Sequence, residues 1–387
     1  THSLRDLTRG GPAQWPEILV TRGEPGKTAP FAIDVIEPPF ENPWKALMFF
    51  GGLDFLPDGA ALLCTMQGDV WRVENLDDDL ANVAWRRFAS GLHQPQGLVV
   101  ADGKVYVLGR DQITELQDLD GDGEADFYRC VNNAYTTSPA GHDFICGLQR
   151  DQAGDFYSAA GHLGIIRIPG DGGPVEVLAT GFRNPDGLGL TRDGILTAPQ
   201  SEGEWVPTSQ ICEIRPGRHF GYPGPKNDEP PALPLVYLPR GIDNSSGEQV
   251  EVTGDRWAPF QGNLVHLSFG GASAFLVLRD VVDGEPQGAV VPIPGDFLSG
   301  VHRGRFSPRD GQLYVCGQAG WGTYSSLDGC FQRLRYTGDP IQVPRSFRAV
   351  ENGVVLTFNL PVDPAVVARH ESTFAQAWNY RYSGGYG

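Results

Sequence analysis

The chain has 387 residues, 40% of them hydrophobic with 20 Phe and 8 Trp, and a formal net charge of −17. Length and apolar content suffice for a sizeable core, which argues against disorder, and such acidity repels phosphate backbones, which argues against a nucleic-acid partner. No run of about eighteen apolar residues occurs, so no membrane span is expected.

With 51 Gly and 31 Pro, turns make up much of the chain, as in all-β folds. In chain order, one unit recurs: an Asp-Gly or similar turn, then an alternating apolar strand. It appears as FLPDGAALLCT (55–65), VADGKVYVL (100–108), DQAGDFYSA (151–159), TRDGILTAP (191–199), FQGNLVHLS (260–268) and SPRDGQLYVC (307–316). The turn glycines Gly59, Gly103, Gly154, Gly194, Gly262 and Gly311 lie 44, 51, 40, 68 and 49 residues apart. Each unit reads as a hairpin whose glycine supplies a positive φ. Six units at blade-like spacing predict an all-β, six-bladed β-propeller over residues 1–341, with the Pro-rich stretch 223–241 filling the longest gap. A β-sandwich would place turns every 8–12 residues without the longer period. Residues 342–387 read as a C-terminal β extension: either the opening of a small sandwich module or a tail packed on the propeller.

Several motifs could carry chemistry. In DLDGDGEAD, Asp118, Asp120, Asp122, Glu124 and Asp126 set five carboxylates around Gly123, in the pattern of a calcium loop whose twelfth position is Arg129. The reading without metal is a solvated acidic loop; calcium is favoured because the carboxylates repel one another unless a cation is present. The six cysteines include no CxxC pair; Cys130–Cys146 or Cys316–Cys330 disulfides and free buried thiols both fit. GFRNPDGLGL (181–190) sets Arg183 and Asn184 before a Pro turn, where the bland alternative is a guanidinium tied to backbone carbonyls. In HRGRF, Arg303 and Arg305 are two apart on a strand and point the same way, which is costly unless they hold an anion. In GHDFICGLQRDQAGDFYSAAGH (141–162), His142 opens the third blade, where inner strands begin near the central channel. His162 has no comparable company and reads as structural.

Read in order, these pieces resemble the soluble glucose/sorbosone dehydrogenase family, six-bladed propellers that use pyrroloquinoline quinone (PQQ). The resemblance covers about residues 45–340 and rests on FLPDGAALLCTMQGDVWRV, the 141–161 segment, GFRNPDGLGL, SEGEWVPTSQICEIRPGRHFGYP (201–223) and HRGRFSPRDGQLYV. The chain also looks like propeller modules of planctomycete-type proteins, where such domains accompany c-type cytochrome domains. The resemblance implies a PQQ- and calcium-dependent sugar or alcohol dehydrogenase that passes electrons to a cytochrome. It implies His142 as general base and Arg183, with Asn184, beside the quinone oxygen. Arg303 and Arg305 would hold the cofactor's carboxylates, and Gly203 and Glu204 would lie at the cofactor's calcium. Asp143, Glu202, Trp205 and Trp321 would line a carbohydrate or small polyol. A periplasmic or secreted location is the matching expectation. Two alternatives stay open. One is a non-redox carbohydrate enzyme (lactonase, hydrolase or lyase) using His142 with Glu202 or Glu204. The other is a carbohydrate-binding propeller without the cofactor, stacking sugar on Trp205, Trp321 and Tyr222.

Overall fold

The computed structural model describes residues 8–138, 143–320, 322–369, 371 and 374–387. Six antiparallel sheets follow one another along the chain. Blade 1 starts on Phe50–Phe55, blade 2 on Gly97–Ala101, blade 3 on Ile145–Arg150, blade 4 on Gly189–Leu190, blade 5 on Ser246–Glu251 and blade 6 on Gly300–Phe306. These first strands touch in a closed ring, blade 6 meeting blade 1 again. The architecture is the six-bladed propeller expected from the hairpin period.

All six turn glycines lie between the first and second strands of their blades, at φ between 67° and 97°. The long gap in the series falls within blade 4, where the Pro-rich stretch joins Ser209–Glu213 to Val236–Leu238. Where neighbouring inner strands approach backbone to backbone, there is no room for side chains. Gly52, Gly97 and Gly147 each face the backbone of the next blade's inner strand, so a β-carbon there would collide.

Between blades, room is filled by apolar residues, and each of the six interfaces has its own buried cluster. Trp71 and Trp85 of blade 1, for instance, pack with Tyr314 and Phe331 of blade 6. The ring is closed by Phe31–Ile36, which pairs with Gly329–Tyr336 as the fourth strand of blade 6. Asp34 on this strand is fully buried and accepts from Arg333 Nε at 2.6 Å and Arg335 Nε at 2.7 Å.

Past blade 6, Pro344–Val350 and Gly353–Phe358 form a hairpin beside blade 5, where Ala349 N donates to Asp280 Oδ2 at 3.1 Å. The chain then runs back to blade 4. Among the described residues, no helix is long and apolar enough to cross a membrane.

Candidate functional site at the mouth of the propeller

In each sheet the first strand runs away from one end of the ring and the second returns to it. The residues preceding first strands therefore share one end with the connections from second to third strands. That end, the mouth, gathers Asp143, the 181–186 loop, the 160–163 turn of blade 3 and the 201–206 loop of blade 4. The six turn glycines lie at the opposite end, as does the connection between the third and fourth strands of blade 2, which carries the acidic loop.

Below the mouth, the axis is filled by charge. Arg303 is 1% exposed, and its Nη2 donates to Asp186 Oδ1 at 2.9 Å and to Gln96 O at 3.1 Å. His302 bridges the other carboxylate oxygen, with Nδ1 2.9 Å from Asp186 Oδ2 and Nε2 2.8 Å from Phe50 O. Burial opposes ionisation of Asp186, but His302 and Arg303 overcome it and hold the carboxyl well below the usual range. Arg305 donates to buried Glu248 Oε1 at 2.6 Å and lies 4.0 Å from Asp54. Burial raises the Asp54 carboxyl, against the pull of Arg305.

This corrects the reading of the Arg303/Arg305 pair. Two guanidiniums side by side do require an anion, but the anions are the protein's own, Asp186 and Glu248. Asp186 sits inside GFRNPDGLGL. The signal was present, yet spacing alone does not tell which of two distant motifs will neutralise the other.

Arg183 is partly buried at the mouth. Its Nη1 donates to Glu202 O at 2.6 Å, and its aliphatic stem lies against Gly203, where no side chain would fit. The carbonyl-tied alternative is thus part of the truth. Asn184 is exposed, in the left-handed region at φ 43°. The Glu202 carboxylate is taken by Arg240, at 2.8 Å. The Gly203 backbone is already paired, with Val206 and with Gly387 N, and Glu204 lies opposite Tyr386 in an antiparallel bridge. Trp205 is half-buried beside them, at φ 61°.

Across the 160–163 turn, His162 Nδ1 lies 3.4 Å from Asp143 Oδ2, with the two side chains 27% and 17% exposed. His162, read as structural, therefore does have company. Asp143 Oδ1 is buried with no hydrogen-bond partner among the described residues. The turn that carries His162 also abuts Pro185, two residues from Arg183. The other ring nitrogen, Nε2, lies 3.5 Å from Thr136 Oγ1. His142 and Trp321 lie outside the described residues.

At the far end, Asp118, Asp120 and Asp126 bring carboxylate oxygens within 4.8 Å of one another. The other two members of the acidic set do not join them. Glu124 is buried and accepts from Gln14 N at 2.7 Å and Trp15 N at 2.9 Å; Asp122 accepts from Glu124 N. All six cysteines are free thiols, so neither disulfide pairing occurs; only Cys130 is exposed. On neighbouring strands Cys316 is opposite Phe331, and Cys330 opposite Gly317. Burial pushes the Cys330 thiol up to about 12.

No protein-family model and no curated protein matches the chain. Solved structures do. The chain is similar to a putative oxidoreductase (glucose dehydrogenase) of Thermus thermophilus, at 19% identity and TM-score 0.61, covering 79% of this chain and 99% of that one. It is similar to the PQQ-bound aldose sugar dehydrogenase of Streptomyces coelicolor, at 16% identity and TM-score 0.54, covering 80% and 99%. A calcium structure of a Trichoderma reesei carbohydrate-active enzyme matches at 13% identity and TM-score 0.60, covering 85% and 99%. What these proteins share with the chain is the propeller fold.

Proposed function

We propose that this chain acts on a carbohydrate at the mouth of its propeller by proton transfer, with Asp143 and His162 as the working pair. The observation that carries this reading is the 3.4 Å contact between a partly exposed imidazole and a carboxylate at the channel mouth. The carboxylate lies beside the ring, and Nε2 would take a proton from water. Arg183, on the neighbouring 181–186 loop, would supply positive charge for an anionic group of the substrate. The substrate class is supported by the sugar enzymes that share the fold, and by analogy of fold alone.

PQQ and its calcium are what the family resemblance implies, and the residues present do not fit the quinone. Its carboxylates need free cations, whereas Arg303 and Arg305 already hold Asp186 and Glu248. No step is routed through the quinone, and none to a cytochrome. The proposed chemistry is the non-redox one, hydrolysis of a sugar lactone or a related hydrolysis or elimination.

Calcium is assigned instead to the far-end loop, where Asp118, Asp120 and Asp126 converge. Hard oxygens at this spacing suit that ion. Its place away from the mouth gives it a structural role.

The test is an acid-release assay on a panel of sugar lactones, run beside dye reduction with sugar, PQQ and CaCl₂. Acid release is expected from the native protein and should fall by about 10²-fold or more in His162→Gln and Asp143→Asn. Uptake of PQQ with sugar-dependent dye reduction that survives His162→Gln would overturn the reading.

A further inference from the structure

The segment from Tyr380 to Gly387 returns from the C-terminal hairpin and lies along the 201–206 loop. Trp205 N donates to Ser383 O at 2.8 Å, Gly387 N to Gly203 O at 3.2 Å, and Tyr386 forms an antiparallel bridge with Glu204. The hydroxyls of Tyr382 and Tyr237 are 2.5 Å apart, and the rings of Tyr380 and Tyr237 are 4.8 Å apart. The outcome is to set the Tyr386 ring 4.9 Å from the Arg183 guanidinium carbon and 6.0 Å from that of Arg240.

The guanidiniums around it are not alike. Arg303, Arg305 and Arg240 each hold a carboxylate, from Asp186, Glu248 and Glu202. Arg183 has the Glu202 carbonyl and the Tyr386 ring, and forms no ion pair among the described residues. A ring face compensates a cation weakly, and a carboxylate in fork geometry does so far better. The cover itself is lightly held. Tyr386 is 52% exposed, and Phe374 and Trp378, on the approach to it, are 86% and 55% exposed. Segments with few buried contacts open locally well before the fold does.

We propose that residues 380–387 form a removable cover over Arg183, and that the group which displaces Tyr386 is the carboxylate of an acidic sugar. Only the sugar part of this rests on the carbohydrate reading above. The carboxylate would take the fork of Arg183 while the bond to be cleaved faces His162.

Arginine labelling with phenylglyoxal, followed at Arg183 by peptide mass spectrometry, tests both parts on the full chain and needs no turnover. Arg183 should react slowly in the native protein and about tenfold faster in Tyr386→Ala, which corresponds to about 1.4 kcal/mol of closure. Tyr382→Phe, which removes one hydrogen bond of the cover and nothing at Arg183, should fall between. Thermal melts verify that both variants are folded. D-glucuronate should slow the labelling of Tyr386→Ala, and D-glucose should not. Equal rates in the native protein and both variants would overturn the cover. Protection by both sugars or by neither would overturn the acidic-sugar part and leave the cover standing.

Discussion

Removal of the Asp186 carboxylate should be among the costliest single changes in this molecule. Arg303 would keep its carbonyl partners, Gln96 O at 3.1 Å and Asp186 O at 3.0 Å, but would lose the one carboxylate it pairs with among the described residues while 1% exposed. Leaving a buried charge unpaired costs about 3–5 kcal/mol, and the remaining carbonyls favour the lower end. Unfolding entropy of roughly 0.8 kcal/mol/K for this length converts that loss into a drop of about 4–6 °C in melting temperature. Asp186→Asn, which keeps the shape, and Asp186→Ala should both show it by calorimetry near neutral pH. The carboxyl is held below its unfolded value, so its contribution is full above about pH 5 and lost as pH falls through the folded value. The gap between native and variant melts should accordingly narrow on acidification. Replacing the pair together, as Asp186→Leu with Arg303→Met, should recover most of the loss, because a packed apolar substitute needs no counter-charge. A neutral-pH loss under about 1 kcal/mol in Asp186→Asn would refute the claim that Arg303 depends on an internal anion.

Two further outcomes are expected. A calcium chelator should lower the melting temperature by about 3 °C if the ion is present near a hundred times its dissociation constant; Asp118→Asn or Asp120→Asn should abolish that shift, and an unchanged native melt would count against the ion. Ellman's reagent should find one reactive thiol in the native protein, Cys130, and all six after unfolding; fast reaction of a second thiol would contradict the burial of the other five.

The fold was legible because its signal is local. A turn that needs positive φ must be written as glycine or a close substitute, so Gly59 through Gly311 announce the blades one by one. The axis was half legible. The like charges of Arg303 and Arg305 correctly demanded an anion, but Asp186 and Glu248 come from other blades, and only the ring brings them in. The company of His162 was hidden for the same reason: Asp143 is 19 positions away in the chain and adjacent only once the second strand of blade 3 has returned to the mouth. Glu124 looked like a metal ligand by composition, yet two backbone N–H groups of the N-terminal segment claim it. Tyr386 carried no sequence signal at all, since a Gly-rich aromatic run names no docking partner.

The seam of the ring has a consequence for synthesis. Asp34 is made before any of the six inner strands, and its partner Arg333 follows 299 positions later. Until then the Phe31–Ile36 strand is paired on one edge only, with Gly23–Glu24, and its other edge stands open while five blades assemble. The strand, FAIDVI, is apolar except for Asp34, a charge of the kind that opposes edge-to-edge pairing. On closure the same carboxylate becomes the anchor for Arg333 and Arg335, so one residue keeps the nascent strand apart and later locks it in place.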